Sequence, residues 1–306
     1  MLAMPMDVLA RFPVRKSKNQ KQAFRDAVQA YASNLGYQVA EEKGSFGCRN
    51  LVIGDPESAK YLVTAHYAPC ARMPIPNLIM PCSFLLFLGY QILVSLVLLL
   101  PPLIPALLAG VLLDSNDTVF YVWYVFFWVN FILLLFGPAN KHNANDNTSG
   151  VITLIEVYHA LPVDLRNQVC FVFFDNEEKG VIGSAQFRKK YKKETKDKLL
   201  INYDCVSDGD YFLLGISKKA NQKYHVALAQ AFTSDHDKTV MLENLKKVYY
   251  PSDQAGYPMA IAVAALKHSK IFGYYMDRIH TKRDTVFDQR NIHFLTERTV
   301  QLIENI

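Results

Sequence analysis

Two long stretches of this chain carry no charge at all. Phe84 to Leu113 and Thr118 to Pro138 lack Asp, Glu, Lys and Arg, and only Asp114, Ser115, Asn116 and Asp117 separate them. A charge-free apolar run of about 20 residues is long enough to cross a bilayer. Both runs are apolar all round rather than along one stripe, which argues against a pair of ordinary core helices. Pro101, Pro102 and Pro105 should kink or break the first run. Trp123, Tyr124 and Trp128 suit interfacial anchoring. The simplest reading is an inserted transmembrane hairpin within 81–137. It runs out from Phe84 to Leu100 and back from Thr118 to Phe136, with 101–113 as a kinked extension or re-entrant piece.

The flanking parts, 1–80 and 138–306, read as one discontinuous unit of alternating helices and strands. Ser17 to Leu35 has an amphipathic pattern ended by Gly36, with Phe24, Val28 and Tyr31 on one face. Short strands are expected at Tyr37–Ala40, Asn50–Ile53 and Tyr61–Ala65. After the apolar block, helix is expected at Ser149–Ala160, Gly183–Tyr191, Asn221–Phe232 and Ile292–Ile306. Strand is expected at Gln168–Phe174, Leu199–Tyr203 and Ile271–Tyr275. This alternation predicts an α/β fold, a three-layer sandwich around a mixed, largely parallel sheet. In such sheets, ligand sites form at the carboxyl ends of the strands. The charged stretch Arg188 to Lys198 reads as a solvated helix end, so no nucleic-acid partner is expected.

Six residues stand at those strand ends or in the turns that follow them: His66, Asp146, Glu177, Glu178, Asp204 and His280. Singly, each has an ordinary explanation. A lone histidine is more often a hydrogen-bonded core residue, and Glu177-Glu178 could simply open a helix, where carboxylates favour the dipole. As a set they have the chemistry of zinc ligands, because zinc takes imidazole nitrogen and carboxylate oxygen when thiolates are absent. Their contexts are Thr64-Ala65-His66-Tyr67, Asn145-Asp146-Asn147-Thr148-Ser149-Gly150, Phe174-Asp175-Asn176-Glu177-Glu178-Lys179-Gly180, Asn202-Tyr203-Asp204, and Ile279-His280-Thr281 with Asp284-Thr285.

In content and order these motifs resemble the co-catalytic two-zinc aminopeptidase family, which includes bacterial leucyl aminopeptidases and glutamate carboxypeptidases, with glutaminyl cyclases as close relatives. The resemblance covers roughly 20–80 and 138–306. It implies two zinc ions per chain, with Asp146 bridging them, His66 and Asp204 completing one shell, and Glu178 and His280 the other. It implies Glu177 as the general base, taking a proton from the attacking water and returning it to the leaving amine. Ser252-Asp253 and Asp284 resemble further family positions, with a structural or supporting role. Tyr257 is a guess for the oxyanion-stabilising residue, which the motifs leave unassigned.

One position departs from the pattern. After the first histidine the family has any residue and then Asp, whose carboxylate orients the imidazole, whereas this chain reads His66-Tyr67-Ala68-Pro69. Loss of such a partner typically lowers metal affinity or activity about 10- to 100-fold. A substitute acceptor, a disabled enzyme and a degenerate one all fit this change.

If His66 and Asp146 serve one metal pair, the chain between them crosses the membrane an even number of times. Arg72 and Lys141 are the nearest basic residues and the hairpin tip has none, so the positive-inside rule puts the catalytic part in the cytoplasm of a multi-pass membrane protein. The start of the chain lacks the apolar core of a signal segment. Five cysteines without framework spacing suit a reducing compartment. The expected function is a membrane-anchored zinc aminopeptidase with a peptide substrate and the lipid bilayer as partners. A homo-oligomer through the hairpin is compatible with this. The alternatives are a single-zinc glutaminyl-cyclase-like enzyme or a catalytically impaired membrane scaffold.

Overall fold

The computed structural model describes residues 2–73 and 75–306. A short helix α1 (Asp7–Arg11) leads into α2 (Lys18–Asn34), which starts at a reciprocal Ser17/Gln20 capping box and stops before Gly36, whose φ is 88°. Strands β1 (Val39–Lys43), β2 (Arg49–Ile53) and β3 (Tyr61–His66) follow. Next come three apolar helices, α3 (Phe84–Leu99), α4 (Leu103–Leu113) and α5 (Asn116–Phe136). The chain returns through α6 (Gly150–Ala160), β4 (Val169–Phe174), α7 (Ile182–Lys190), β5 (Leu199–Tyr203) and β6 (Tyr211–Ile216). It closes with α8 (Lys218–Ala231), β7 (Thr239–Asn244), β8 (Ala260–Ser269), β9 (Gly273–Tyr275) and α9 (Gln289–Glu304).

The strands lie in the order β1-β2-β4-β3-β5-β8-β6-β7, with β9 paired to β8. The four central strands, β4-β3-β5-β8, run parallel, while β2 and β6 flank them antiparallel. The sheet is therefore mixed, parallel in the middle, and sandwiched between two layers. Period-two alternation assigns its side chains to the two faces. In β4, Val169, Phe171 and Phe173 join the core built with α2, α6, α8 and α9, whereas Cys170, Val172 and Phe174 pack with Phe187 of α7.

The expected helices and strands are present with boundaries shifted by a few residues, but β6, β7 and β8 were not anticipated. Strand β8 reads Ala-Ile-Ala-Val-Ala-Ala-Leu, and alanine favours helix over strand. Its place between β5 and β6, buried on both faces, overrides that preference.

The first apolar run does not stay straight. It breaks at Leu100–Pro102, and residues 103–113 resume as helix α4 packed along α5. Ala106 and Gly110 are the buried residues of α4, and Trp123 Nε1 donates to the Leu99 carbonyl (3.1 Å). The outward faces stay bare: Leu85, Val111 and Leu112 are 78–82% exposed. Both apolar segments, Phe84–Leu113 and Asn116–Phe136, are long and apolar enough to cross a membrane.

The base of these helices is tied to the α/β part at several points. Ala71 and Ala139 form an antiparallel bridge, flanked by Arg72 N donating to Pro138 O (2.9 Å) and Asn140 N to Cys70 O (3.1 Å). Phe84 and Phe87 pack their rings on Tyr249 at 5.1 and 5.7 Å between centroids. The ammonium of Lys179 sits 5.4 Å from the Phe136 ring.

Candidate metal centre

The parallel strands end on one side of the sheet and deliver the site residues there. His66 is the last residue of β3, and Asp204 follows the last residue of β5. Asp146 lies in the irregular turn Ala144–Ser149 that opens α6. That turn reaches the end of β5 because Gly150 has no side chain: a Cβ there would fall 2.5 Å from the Tyr203 carbonyl oxygen. Glu177 and Glu178 occupy a single turn of 3-10 helix after β4, entered through Asn176 at φ 56°. His280, at φ 60°, comes from the loop after β9. Cys205 (φ 56°) and the β-branched Val181 (φ 51°) also adopt the left-handed conformation, so strain concentrates around the site.

All six predicted residues line one cleft of about 370 Å³, together with Ile79, Val181, Cys205, Tyr250, Pro251 and Ile279. Asp146 stands at its centre. Its Oδ1 is 3.3 Å from His66 Nε2, and its Oδ2 is 2.8 Å from His280 Nε2. His66 Nε2 also lies 3.4 Å from Asp204 Oδ1, and His280 Nε2 lies 3.3 Å from Glu178 Oε2. Two donor groups result, His66/Asp146/Asp204 and Asp146/Glu178/His280, each with ligand atoms within 4.8 Å of one another. The second group includes a residue the motifs did not mark, Cys70. Glu177 sits beside His66 and Glu178 at the same spacing.

Contacts behind the cleft hold these side chains in place. The Asp284 carboxylate accepts from the backbone N–H of Asn145 (2.7 Å) and of Asp146 (3.0 Å). Ser252 Oγ donates to Asp204 Oδ2 (2.6 Å), and Tyr250 OH to the Asp204 carbonyl (3.3 Å). Arg15, fully buried, ties the end of β3 to the Asp146 turn by donating to Tyr67 O (2.6 Å) and Thr148 Oγ1 (3.0 Å). Nothing in the local sequence context of Arg15 sets it apart. Tyr257, the guess for an oxyanion group, is corrected: its hydroxyl donates to the Ser184 carbonyl (3.0 Å) in a separate part of the core. Tyr250 lines the cleft instead.

Ala68 does not leave the imidazole of His66 without a partner. Nδ1 of His66 lies 3.3 Å from the Ala68 backbone carbonyl oxygen. A backbone acceptor thus takes the place of the missing carboxylate, holding the proton on Nδ1 and turning the Nε2 lone pair into the cleft.

The electrostatics of this cluster call for cations. Burial would raise the Asp146 carboxyl, but His280 and His66 hold it well below the usual range. Burial would lower the imidazole of His66, yet Asp204 and Asp146 hold it well above its ordinary value. Burial, opposed by His66 and reinforced by Glu178, Asp253 and Asp204, raises the Glu177 carboxyl well above the usual range. Burial likewise pushes Asp253 to about 7. Among the described residues, Glu178 Oε1 is buried and finds no hydrogen-bond partner. With Nδ1 protonated, His66 Nε2 is an acceptor facing two carboxylate oxygens, an arrangement that repels unless a proton or a metal lies between. Nitrogen and oxygen donors at this spacing suit zinc, so the residues fit that ion.

A parallel-centred α/β sandwich with imidazoles and carboxylates gathered at its strand ends defines a metal-hydrolase type of protein. The pattern of peptidase family M28 matches residues 117–301, more than half the chain, and the protein belongs to that family. Its fold is shared with a Zn-dependent exopeptidase from Parabacteroides distasonis (14% identity, TM-score 0.59, 99% of this chain and 96% of that one). It is likewise shared with glutaminyl cyclase from Porphyromonas gingivalis (18%, 0.54, 96% and 93%) and from Bacteroides thetaiotaomicron (13%, 0.55, 96% and 93%). Comparison with curated protein sequences yields no match.

Proposed function

We propose that this chain is a membrane-anchored zinc aminopeptidase that removes residues from the free N-terminus of peptides. The observation that carries the reading is Asp146, whose two oxygens face different histidines, so that two donor sets share one carboxylate. His66, Asp146 and Asp204 would hold one ion, and Asp146, Glu178 and His280 the other. Bound there, zinc supplies Lewis acidity, which lowers the pKa of water and polarises the substrate carbonyl.

The rest of the reaction belongs to the protein's own groups. Glu177 takes the proton of the attacking water as oxygen bonds to the peptide carbonyl carbon. It returns that proton to the amine nitrogen as the C–N bond breaks, so the carboxylate is regenerated. A raised carboxyl pKa suits this exchange near neutral pH. Ile79, Val181, Pro251 and Ile279 offer apolar walls, which favour an apolar N-terminal side chain. The lengths of the two apolar segments, their bare outward faces and the absence of Lys and Arg from 73–140 support a hairpin in the bilayer with the catalytic part on the cytoplasmic side. Peptides held near the membrane are then the natural substrates.

Glutaminyl cyclization is the second reading, favoured by the fold shared with the two cyclases over nearly their whole length. Elemental analysis of the detergent-purified chain at saturating zinc, combined with product analysis, separates the two. Two ions per chain and release of free N-terminal residues support the peptidase. One ion and ring closure of an N-terminal glutamine would replace it with the cyclase. In a variant lacking residues 84–136, equal loss for soluble and membrane-held peptides, or none, would remove the membrane-substrate part of the proposal.

A further inference from the structure

Cys70 lies four residues beyond His66, outside every motif that marks the other site residues. Its Sγ is nonetheless within 4.8 Å of ligand atoms of Asp146, Glu178 and His280. It is 3% exposed, and its position is set by backbone contacts on both sides. Its carbonyl accepts from Asn140 N (3.1 Å), Ala71 bridges Ala139, and Met73 N donates to His280 O (2.8 Å). The segment carrying the thiol is thus fastened to the segment carrying His280. Beside them, Glu178 Oε1 is buried and has no hydrogen-bond partner among the described residues.

We infer that the Cys70 thiolate is the fourth protein ligand of the ion held by Asp146, Glu178 and His280. The inference rests on the two-ion reading above. One sulfur, one nitrogen and two oxygens complete a tetrahedral zinc shell, and sites closed by four protein donors hold zinc structurally. The His66/Asp146/Asp204 group offers three protein donors, so an ion held there would leave a position for water and substrate. The two ions would therefore be unequal, the one with Cys70 held by more protein donors than the other. The thiol gives up its proton to solvent when the metal binds, and a soft sulfur donor biases this position toward zinc over magnesium, calcium or manganese.

The test uses the full chain in detergent, stripped and reloaded with cobalt(II), which reports sulfur ligation as an intense near-ultraviolet charge-transfer band. The wild type should show the band at two ions per chain. Cys205→Ser should keep it, although that thiol lies 3.2 Å from Asp204 Oδ1. Cys70→Ser should lose the band and bind one ion more weakly by at least about 10-fold, the lower bound seen for outer contacts. Cys70→Asp, which supplies an oxygen donor, should recover much of that affinity without the band.

Two bound ions with no band in the wild type, or a Cys70→Ser protein with band and affinities intact, would overturn the Cys70 assignment while leaving the two-ion reading standing. One ion with a Cys70-dependent band would support the thiolate ligand and remove the two-ion reading. No bound metal would overturn both.

Discussion

The carbonyl oxygen of Ala68 lies 3.3 Å from Nδ1 of His66 and is the acceptor that faces this ring nitrogen. The acceptor is main chain, so it survives any side-chain change at 68 that keeps the backbone path. Ala68→Gly is expected to leave zinc affinity within about 3-fold of wild type, well short of what losing such a partner does. Ala68→Asp, by adding a charged acceptor, should tighten zinc binding by about 10-fold. Competition with a chelator of known affinity measures both. A large loss in Ala68→Gly would show that the carbonyl is not the orienting group.

On the proposed reading, Glu177 transfers a proton and is not a metal ligand. Glu177→Gln should retain the wild-type metal content while peptide turnover falls by about 100- to 10,000-fold. Metal content is measured beside kcat. Loss of an ion together with activity would instead make Glu177 a ligand.

The support behind the cleft predicts an acid-sensitive step in stability. Glu41 accepts from Arg25 Nε (2.6 Å) and Arg49 Nη1 (2.5 Å), and Arg25 also donates to the hydroxyl of Tyr67, next to His66 (2.8 Å). Burial would raise the Glu41 carboxyl, but the bonds from Arg25 and Arg49 bring it below its ordinary value of 4.5. A depressed carboxyl contributes stability above the unfolded-state value and loses it as pH falls through the lower folded value. Wild-type stability should therefore drop more steeply than that of Glu41→Gln as pH falls below about 4.5. Parallel denaturation midpoints across that range would refute it.

Helices α4 and α5 meet at a point that admits no side chain. A Cβ on Gly110 would fall 2.2 Å from Val119 Cγ2 and 3.3 Å from the Ser115 carbonyl oxygen. Gly110→Leu should therefore destabilise the helical insertion by about 1–3 kcal/mol through overpacking. Thermal unfolding in detergent reads the loss, and unchanged zinc content would localise it to the helices. A neutral result would mean that the two helices separate readily.

Much of the fold was legible because its signals are local. Capping at Ser17, the stop at Gly36 and the unbroken apolar run of β4 each follow from a few adjacent residues. Strand β8 was hidden because its alanines carry no strand signal and only its neighbours make it a strand. The six site residues could be picked out by their motifs. Cys70 could not, since its approach to His280 depends on a bridge between residues 71 and 139 that no local pattern announces. Tyr257 is plausible on paper, and only the path of the loop puts Tyr250 rather than Tyr257 against the cleft. The Ala68 carbonyl is invisible in principle, since every residue has one.

The grip on the base of the helices has a mechanical consequence. Cys70 stands beside the Ala71–Ala139 bridge, and Tyr250, which lines the cleft, follows the Tyr249 that carries Phe84 and Phe87. In a bilayer, such a cleft rides at a fixed height above the lipid. On the proposed aminopeptidase reading, a chain emerging from the same membrane would be trimmed only down to the number of residues needed to span that height, so this protein would act as a ruler and leave stubs of uniform length.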